Sequence, residues 1–339
     1  MSEPSGERTK PAEQWSGRRV LVTGGEGFIG SHLVERLVRE GADVRTLVQY
    51  NAFGRFGWLD PAVHGDVHVV PGDVRDADRV RGAVECCEVV FHLAALIGIP
   101  YSYVAPESYV QVNVLGTQNV ALACRQTGVS RLVHTSTSET YGTALRVPID
   151  EDHPLQPQSP YSASKIGGDM MALSFWHAFE LPVAVVRPFN TYGPRQSTRA
   201  VIPTILTQLH AGAPQIRLGT TAPTRDFNYV EDTVAGFLAV AACDRAVGHV
   251  VNVGSGREIS IGDLVELLVR TTGSSAEVVV DPDRVRPTGS EVDRLLCDNT
   301  RAREWAGWEP QVSLEDGLRR TSDWVKENHH LLDTEGYSI

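Results

Sequence analysis

Apolar residues fall along this chain in short continuous runs, separated by polar turns and by longer stretches of helical period. Arg19-Val-Leu-Val-Thr23 is the first such run, and an uninterrupted apolar strand is what burial on both faces of a parallel sheet produces. It leads through Gly24-Gly25-Glu26-Gly27-Phe28-Ile29-Gly30 into residues 31–38, where apolar side chains repeat along one helical face. Further runs at 43–48, 67–74, 89–95, 131–135 and 182–187 predict five more strands. Long helices are expected between them, one over Pro106 to Gln126 and one around Tyr161. Six alternations of strand and helix predict an α/β fold of Rossmann type, a doubly wound parallel sheet.

After Arg187 the pattern changes. Pro188, Pro194 and Pro203, several glycines and shorter mixed elements predict a smaller C-terminal substrate domain. The expected division is residues 17–188 for a dinucleotide-binding domain and 189–330 mainly for the substrate domain. Segments near 228–262 are expected to return to the main sheet, with Asn252 to Gly256 and the helix from Ile261 to Thr272 as candidates. Residues 1–16 and 331–339 read as tails.

Composition narrows the class. Apolar residues make up 42% and charged ones 22%, as in an ordinary globular protein. A net charge of −11 argues against nucleic acid as a partner, because a binder would show a basic stripe. No apolar run approaches a membrane span, and the polar stretch Met1 to Trp15 lacks a signal-peptide core, so a cytoplasmic protein is expected. Five scattered cysteines without ligand spacing read as reduced thiols, and no metal site is expected.

The chemistry sits at the ends of the predicted strands, where open α/β sheets bind ligands. Gly24, Gly27 and Gly30 are three apart between a strand and a helix, which lets a pyrophosphate approach the helix N-terminus at Phe28 and Ile29. The second strand ends at Gln49-Tyr50-Asn51, with no acid for a ribose hydroxyl and Arg55 soon after; NAD is expected, with NADP still open. Asp73 and Val74, and then Leu93, Ala94 and Ala95, stand where the dinucleotide would pass. Thr137-Ser138-Glu139 follow the fifth strand, and Tyr161 and Lys165 share one face of the next helix. An ammonium about 4 Å from a phenol is worth roughly 4 kcal/mol at an effective dielectric near 20, enough to lower the phenol by up to about 3 pK units. A lowered Tyr161 is the expectation, with Glu139 adding a carboxylate that plain alcohol oxidation does not need.

Gly24-x-x-Gly27-x-x-Gly30, Tyr161-x-x-x-Lys165 and Arg187-Pro-Phe-Asn-Thr-Tyr-Gly-Pro194 together resemble the extended short-chain dehydrogenase/reductase family over about residues 18 to 328. Within it, Tyr50 to Asp60, Thr135 to Gly142, Pro223-Thr-Arg-Asp-Phe227, Arg286-Pro287 and Ser290-Glu291-Val292 resemble nucleotide-sugar 4,6-dehydratases of the legionaminic-acid type. The resemblance implies an NAD-dependent enzyme acting on a nucleotide-diphosphate sugar. Tyr161, steadied by Lys165, would take the 4-OH proton, Thr137 would hold that oxygen, and Glu139 would take the proton at C5 before water leaves from C6. Ser138 stands where glucose-type dehydratases have Asp, and GDP-mannose-type dehydratases also have Ser there. Thr-Ser-Glu is similar to the UDP-glucuronate decarboxylases too, and 4-epimerases are the further alternative. The same resemblance implies that Asn190, Arg225 and Arg286 hold the diphosphate, that Glu291 accepts from a ribose or sugar hydroxyl, and that the Asn113 and Tyr161 helices form a homodimer.

Overall fold

The structure, a computed structural model, describes residues 14–52, 54–59 and 65–332. Numbered in chain order, the strands of its main sheet are β1 (Arg19–Thr23), β2 (Asp43–Gln49), β3 (Val67–Gly72), β4 (Val89–His92), β5 (Arg131–Thr135), β6 (Val183–Pro188) and β7 (Val250–Val253). All are parallel, in the order β7-β6-β5-β4-β1-β2-β3. Val20, Leu21 and Val22 have no exposed surface, which explains why the sequence there is uninterrupted rather than alternating. The order reverses between β1 and β4, opening a crevice at the carboxyl ends of these two strands.

Two apolar layers cover the sheet. One joins Leu33, Val34 and Leu37 of the helix Phe28–Arg39 to Phe237 and Val240 of the helix Val230–Ala241. The other joins Val120 and Cys124 to Ala172 and Phe175 of the helix Pro160–Phe179. A third apolar cluster forms away from the sheet, from Ile202, Ile205, Leu206, Leu264, Leu268 and Leu318 among others.

Three expectations change here. Trp15, read as part of a tail, is 3% exposed and packs on Phe91 with ring centroids 5.7 Å apart. Its indole adds more buried apolar area than ordering a short segment costs. The helix Ile261–Thr272 does not return to the main sheet. Its apolar face belongs to the third cluster, while strand β7 and the helix Val230–Ala241 make the return. At the other end, Leu332 is buried in the third cluster; the remaining tail residues, 1–13 and 333–339, lie outside the described residues, as do Phe53 and Asp60.

The long helix expected over 106–126 is interrupted in kind but not in course. Pro106–Tyr109 runs into a π-helical stretch, Val110–Leu115, and on into Gly116–Thr127. The wider turn holds Asn113, whose side chain bonds both the N–H and the C=O of Leu96 and donates to Ser164 Oγ at 2.9 Å. Asn113 thereby ties the segment after β4 to the Tyr161 helix.

Candidate active site

The glycine-rich turn connects β1 to the helix Phe28–Arg39. Gly24 has φ +72°, and a Cβ on it would meet the Ala94 backbone at 2.9 Å; a Cβ on Gly30 would meet Gly24 O at 2.1 Å. These contacts fold the turn tightly against β4 and leave the helix start open, because Gly27 caps it without a side chain and no acidic residue sits in the first turn. Phe28 and Ile29 occupy that first turn. Such a bare helix end, facing the chain reversal, fits a dinucleotide pyrophosphate. Leu93 donates its N–H to Thr23 O and Ala94 donates to Thr23 Oγ1, so the segment through Ala95 lies against the turn. Asp73 is less free than its sequence position promised. It accepts from the Arg75 N–H and guanidinium, at 2.6 to 3.0 Å, which holds its carboxyl below the usual carboxylate range. Val74 is buried, and its carbonyl accepts from Asn119.

On the other side of the crevice, β5 ends in a short 3-10 turn, Ser138–Tyr141, capped by Thr137. The Ser159–Ser162 capping box starts the next helix and fixes the position of Tyr161. Tyr161 is 7% exposed, and its phenol lies beside the Thr137 side chain. Ser138 is buried, and Glu139 is only partly so. The expected lowering of the Tyr161 phenol is not found. Burial pushes it up, and the nearby Glu139 carboxylate adds to that, against the Thr137 hydroxyl. Lys165 Nζ donates to Thr135 O at 2.5 Å, and no hydrogen bond joins it to the phenol among the described residues. Burial lowers the ammonium to about 8, with Asp169 opposing.

Behind these residues lies a buried charge network. Asp169 Oδ2 accepts from Ser136 Oγ at 2.5 Å and from Arg187 Nη2 at 2.7 Å, and Oδ1 faces His134 Nε2 at 3.2 Å. Burial alone would raise the Asp169 carboxyl, but His134 and Arg187 hold it far below the usual carboxylate range. His92 bridges Thr23 and Thr117, and burial keeps it neutral.

The candidate phosphate-side residues come together. Arg225 is 7% exposed and donates to Glu291 Oε1 at 3.2 Å, while Arg286 lies 3.7 Å from the same oxygen. Glu291, the expected acceptor from a ribose or sugar hydroxyl, sits between these two guanidinium groups. Asn190 opens a short strand, and its Oδ1 is buried without a partner among the described residues. Tyr103 OH meets Ser290 Oγ at 2.6 Å and Gln158 donates to Glu291 O at 3.0 Å, which ties this loop to the Tyr161 side of the crevice. Ser102, in contrast, is fully buried and bonded to Ile99 O.

The sequence model of the family described as GDP-mannose 4,6 dehydratase matches residues 21–321. The chain belongs to that family. A UDP-glucose 4-epimerase from Mycolicibacterium smegmatis is 37% identical, with 91% of this chain and 98% of that one covered. A dTDP-glucose 4,6-dehydratase from Streptomyces antibioticus is 35% identical, with 91% and 92% covered. Among solved structures, the dTDP-glucose 4,6-dehydratase DesIV from Streptomyces venezuelae, with NAD and TYD bound, matches with a TM-score of 0.85 at 32% identity, covering 93% of this chain and 99% of that one. The Rossmann-type fold of the extended short-chain dehydrogenases/reductases is therefore shared across the GDP-mannose 4,6-dehydratase family and these neighbours. Relatives of both reaction types are enzymes acting on nucleotide sugars by name. No helix among the described residues is long and apolar enough to cross a membrane.

Sequence reasoning missed Asp169 and Arg187. The signal for Asp169 was available, since it follows Lys165 by one helical turn and shares its face. Arg187 opens one of the motifs quoted above, but nothing in the sequence pairs it with Asp169, eighteen residues earlier on another element.

Proposed function

We propose that this chain is an NAD-dependent nucleotide-diphosphate-sugar 4,6-dehydratase. The observation that carries the proposal is one cluster, in which the Thr137 hydroxyl and the Glu139 carboxylate both lie close enough to the buried Tyr161 phenol to act on it. A hydroxyl, a phenol and a carboxylate around one point serve two proton transfers, and elimination needs two. The bare helix end at Phe28 and Ile29, with Gly24, Gly27 and Gly30, would hold the pyrophosphate, and Leu93 to Ala95 would line its path. Bound NAD supplies a reversible hydride acceptor and, in its oxidised form, a positive charge.

Once the phenol has released its own proton, a change that the positive charges of Lys165 and of oxidised NAD would favour, Tyr161 Oη receives the proton of the sugar 4-OH, with Thr137 Oγ1 orienting that oxygen. Lys165 fixes the end of β5 through Thr135 and keeps positive charge in the buried layer under the site. The ketone formed at C4 acidifies C5–H, and Glu139 takes that proton. Ser138 brings no acid, so Glu139 returns its proton to the hydroxyl leaving C6 as water. Asn190, Arg225 and Arg286 hold the diphosphate, Arg by bidentate contacts suited to phosphate. Exposed Val110, Leu115 and Met170 on the two neighbouring helices suit a homodimer interface.

A 4-epimerase is the second reading, favoured by the 37% identical epimerase relative. The deciding experiment is mass spectrometry of purified protein incubated with UDP-, GDP- and dTDP-hexoses and UDP-glucuronate. Loss of one water from one donor supports the dehydratase and names its nucleotide. Loss of carbon dioxide from the glucuronate would transfer the site to a decarboxylase, and an isomeric product of unchanged mass to an epimerase.

A further inference from the structure

The second strand ends without an acid of its own, yet the fold places one there. Glu26, inside the glycine-rich turn, reaches across so that its Oε1 accepts the backbone N–H of Gln49, the last residue of β2, at 2.7 Å. Its Oε2 has no hydrogen-bond partner among the described residues. The Glu26 carbonyl accepts from Trp58 N–H at 2.9 Å, so the loop after β2 is held over the same residue. Burial raises the carboxyl, two backbone N–H groups oppose that, and no basic side chain is among the causes. Glu26 thus has a carboxylate oxygen to spare at the end of β2, and no ion pair to it is formed among the described residues.

In doubly wound sheets the adenosine ribose of a dinucleotide lies at the end of β2, beside the glycine-rich turn. We propose that Glu26 reads the ribose 2′-hydroxyl and selects NAD over NADP, a role that rests on the dinucleotide reading of the crevice given above. An ionised carboxylate has about four acceptor positions, and Gln49 takes one, so ribose hydroxyls can be received on the others. A 2′-phosphate would bring its own negative charge against Glu26 in a partly buried place, where screening is weak. Because Gln49 contributes its backbone N–H, the side chain at that position is free to vary. The acid has moved from the strand end to the turn, which is why reading the strand end alone finds nothing.

The test is direct binding of NADH and NADPH to nucleotide-stripped protein, followed by nicotinamide fluorescence. The wild type should bind NADH about 100-fold more tightly than NADPH, and Glu26→Gln should weaken NADH and cut the ratio by about tenfold, the size of one hydrogen bond to a charged group. Arg55→Ala should leave the ratio unchanged. Equal or tighter NADPH binding by the wild type overturns the proposal, as does a folded Glu26→Gln protein with an unaltered ratio, and both leave the dinucleotide reading standing. Binding of neither nucleotide overturns both. Should Glu26→Gln fail to fold, the wild-type ratio still decides, and Glu26→Asp, one methylene shorter, is read in the same way.

Discussion

Lys165 donates to the Thr135 carbonyl oxygen at 2.5 Å, not to Tyr161 one helical turn earlier. The ammonium therefore braces the end of β5, from which Thr137 and Glu139 follow, and the phenol meets Thr137 instead. Tyr161→Phe removes the oxygen that moves the proton and leaves the ring packed against Tyr109, 6.2 Å away between centroids. It should lower kcat by about 10²–10⁴-fold with little change in nucleotide-sugar affinity. Turnover within a few-fold of wild type would remove Tyr161 from the chemistry.

Lys165 also sets a pH dependence of stability. Its folded ammonium titrates at about 8, lowered by burial, whereas an unfolded lysine titrates near about 10.4. Between those values the unfolded chain binds more protons at this site, so stability rises with pH across the window and the gain is lost again as pH falls through about 8. Relative to Lys165→Met, the wild type should gain roughly 3 kcal/mol from pH 8 to 10.5 in denaturant melts. Parallel curves for the two proteins would show that the lysine is not desolvated.

Glu139→Gln keeps the shape of the site but cannot accept the C5 proton. Oxidation at C4 should persist while loss of water slows by about 10²-fold or more. Borodeuteride trapping, read by mass, should then find a 4-keto sugar that still carries its C6 hydroxyl. Water loss at the wild-type rate would give the base to another group.

The sheet was legible because Val20 to Val22 and the corresponding runs are buried on both faces, so apolar residues dominate them without alternation. The Tyr161 and Lys165 pair was legible as spacing, but the direction of the phenol's shift was not. Spacing gives proximity along a helix, whereas the Lys165 partner comes from β5, thirty residues earlier. Glu26 and Arg187 were illegible for the same reason: each acts on residues from another element. Trp15 was lost in a polar segment, where one large ring outweighed the composition around it.

Asp169 is the common anion of the buried network, so Asp169→Asn strands the Arg187 guanidinium, whose side chain is 2% exposed. Breaking a buried pair from one side costs about 3–5 kcal/mol, whereas removing both partners costs much less. Asp169→Asn should lower the unfolding free energy by that order, and adding Arg187→Met should recover part of it. A double variant less stable than the sum of its single changes would mean that Arg187 is held by Tyr141 and Ser136 rather than by Asp169.

Arg225 and Arg286 share the Glu291 carboxylate from two directions, at 3.2 and 3.7 Å. The arrangement presets both guanidinium groups and leaves Arg286 Nη1 without a hydrogen bond among the described residues. A diphosphate carries enough charge to engage both, and a fork of N–H donors suits its oxygens. Arg286→Ala should therefore raise KM for the nucleotide sugar by about 10-fold or more and leave kcat nearly unchanged, since the lost contact is made equally in ground and transition states. Arg225→Ala should do the same with an added loss of stability, because this arginine is buried and its departure leaves Glu291 one partner short. Titration with the free nucleoside diphosphate separates the two effects: both variants should bind it more weakly, and only Arg225→Ala should also melt earlier in its absence. If the nucleoside diphosphate binds both variants as it binds the wild type, the diphosphate lies elsewhere in the crevice and the two arginines serve the loop alone.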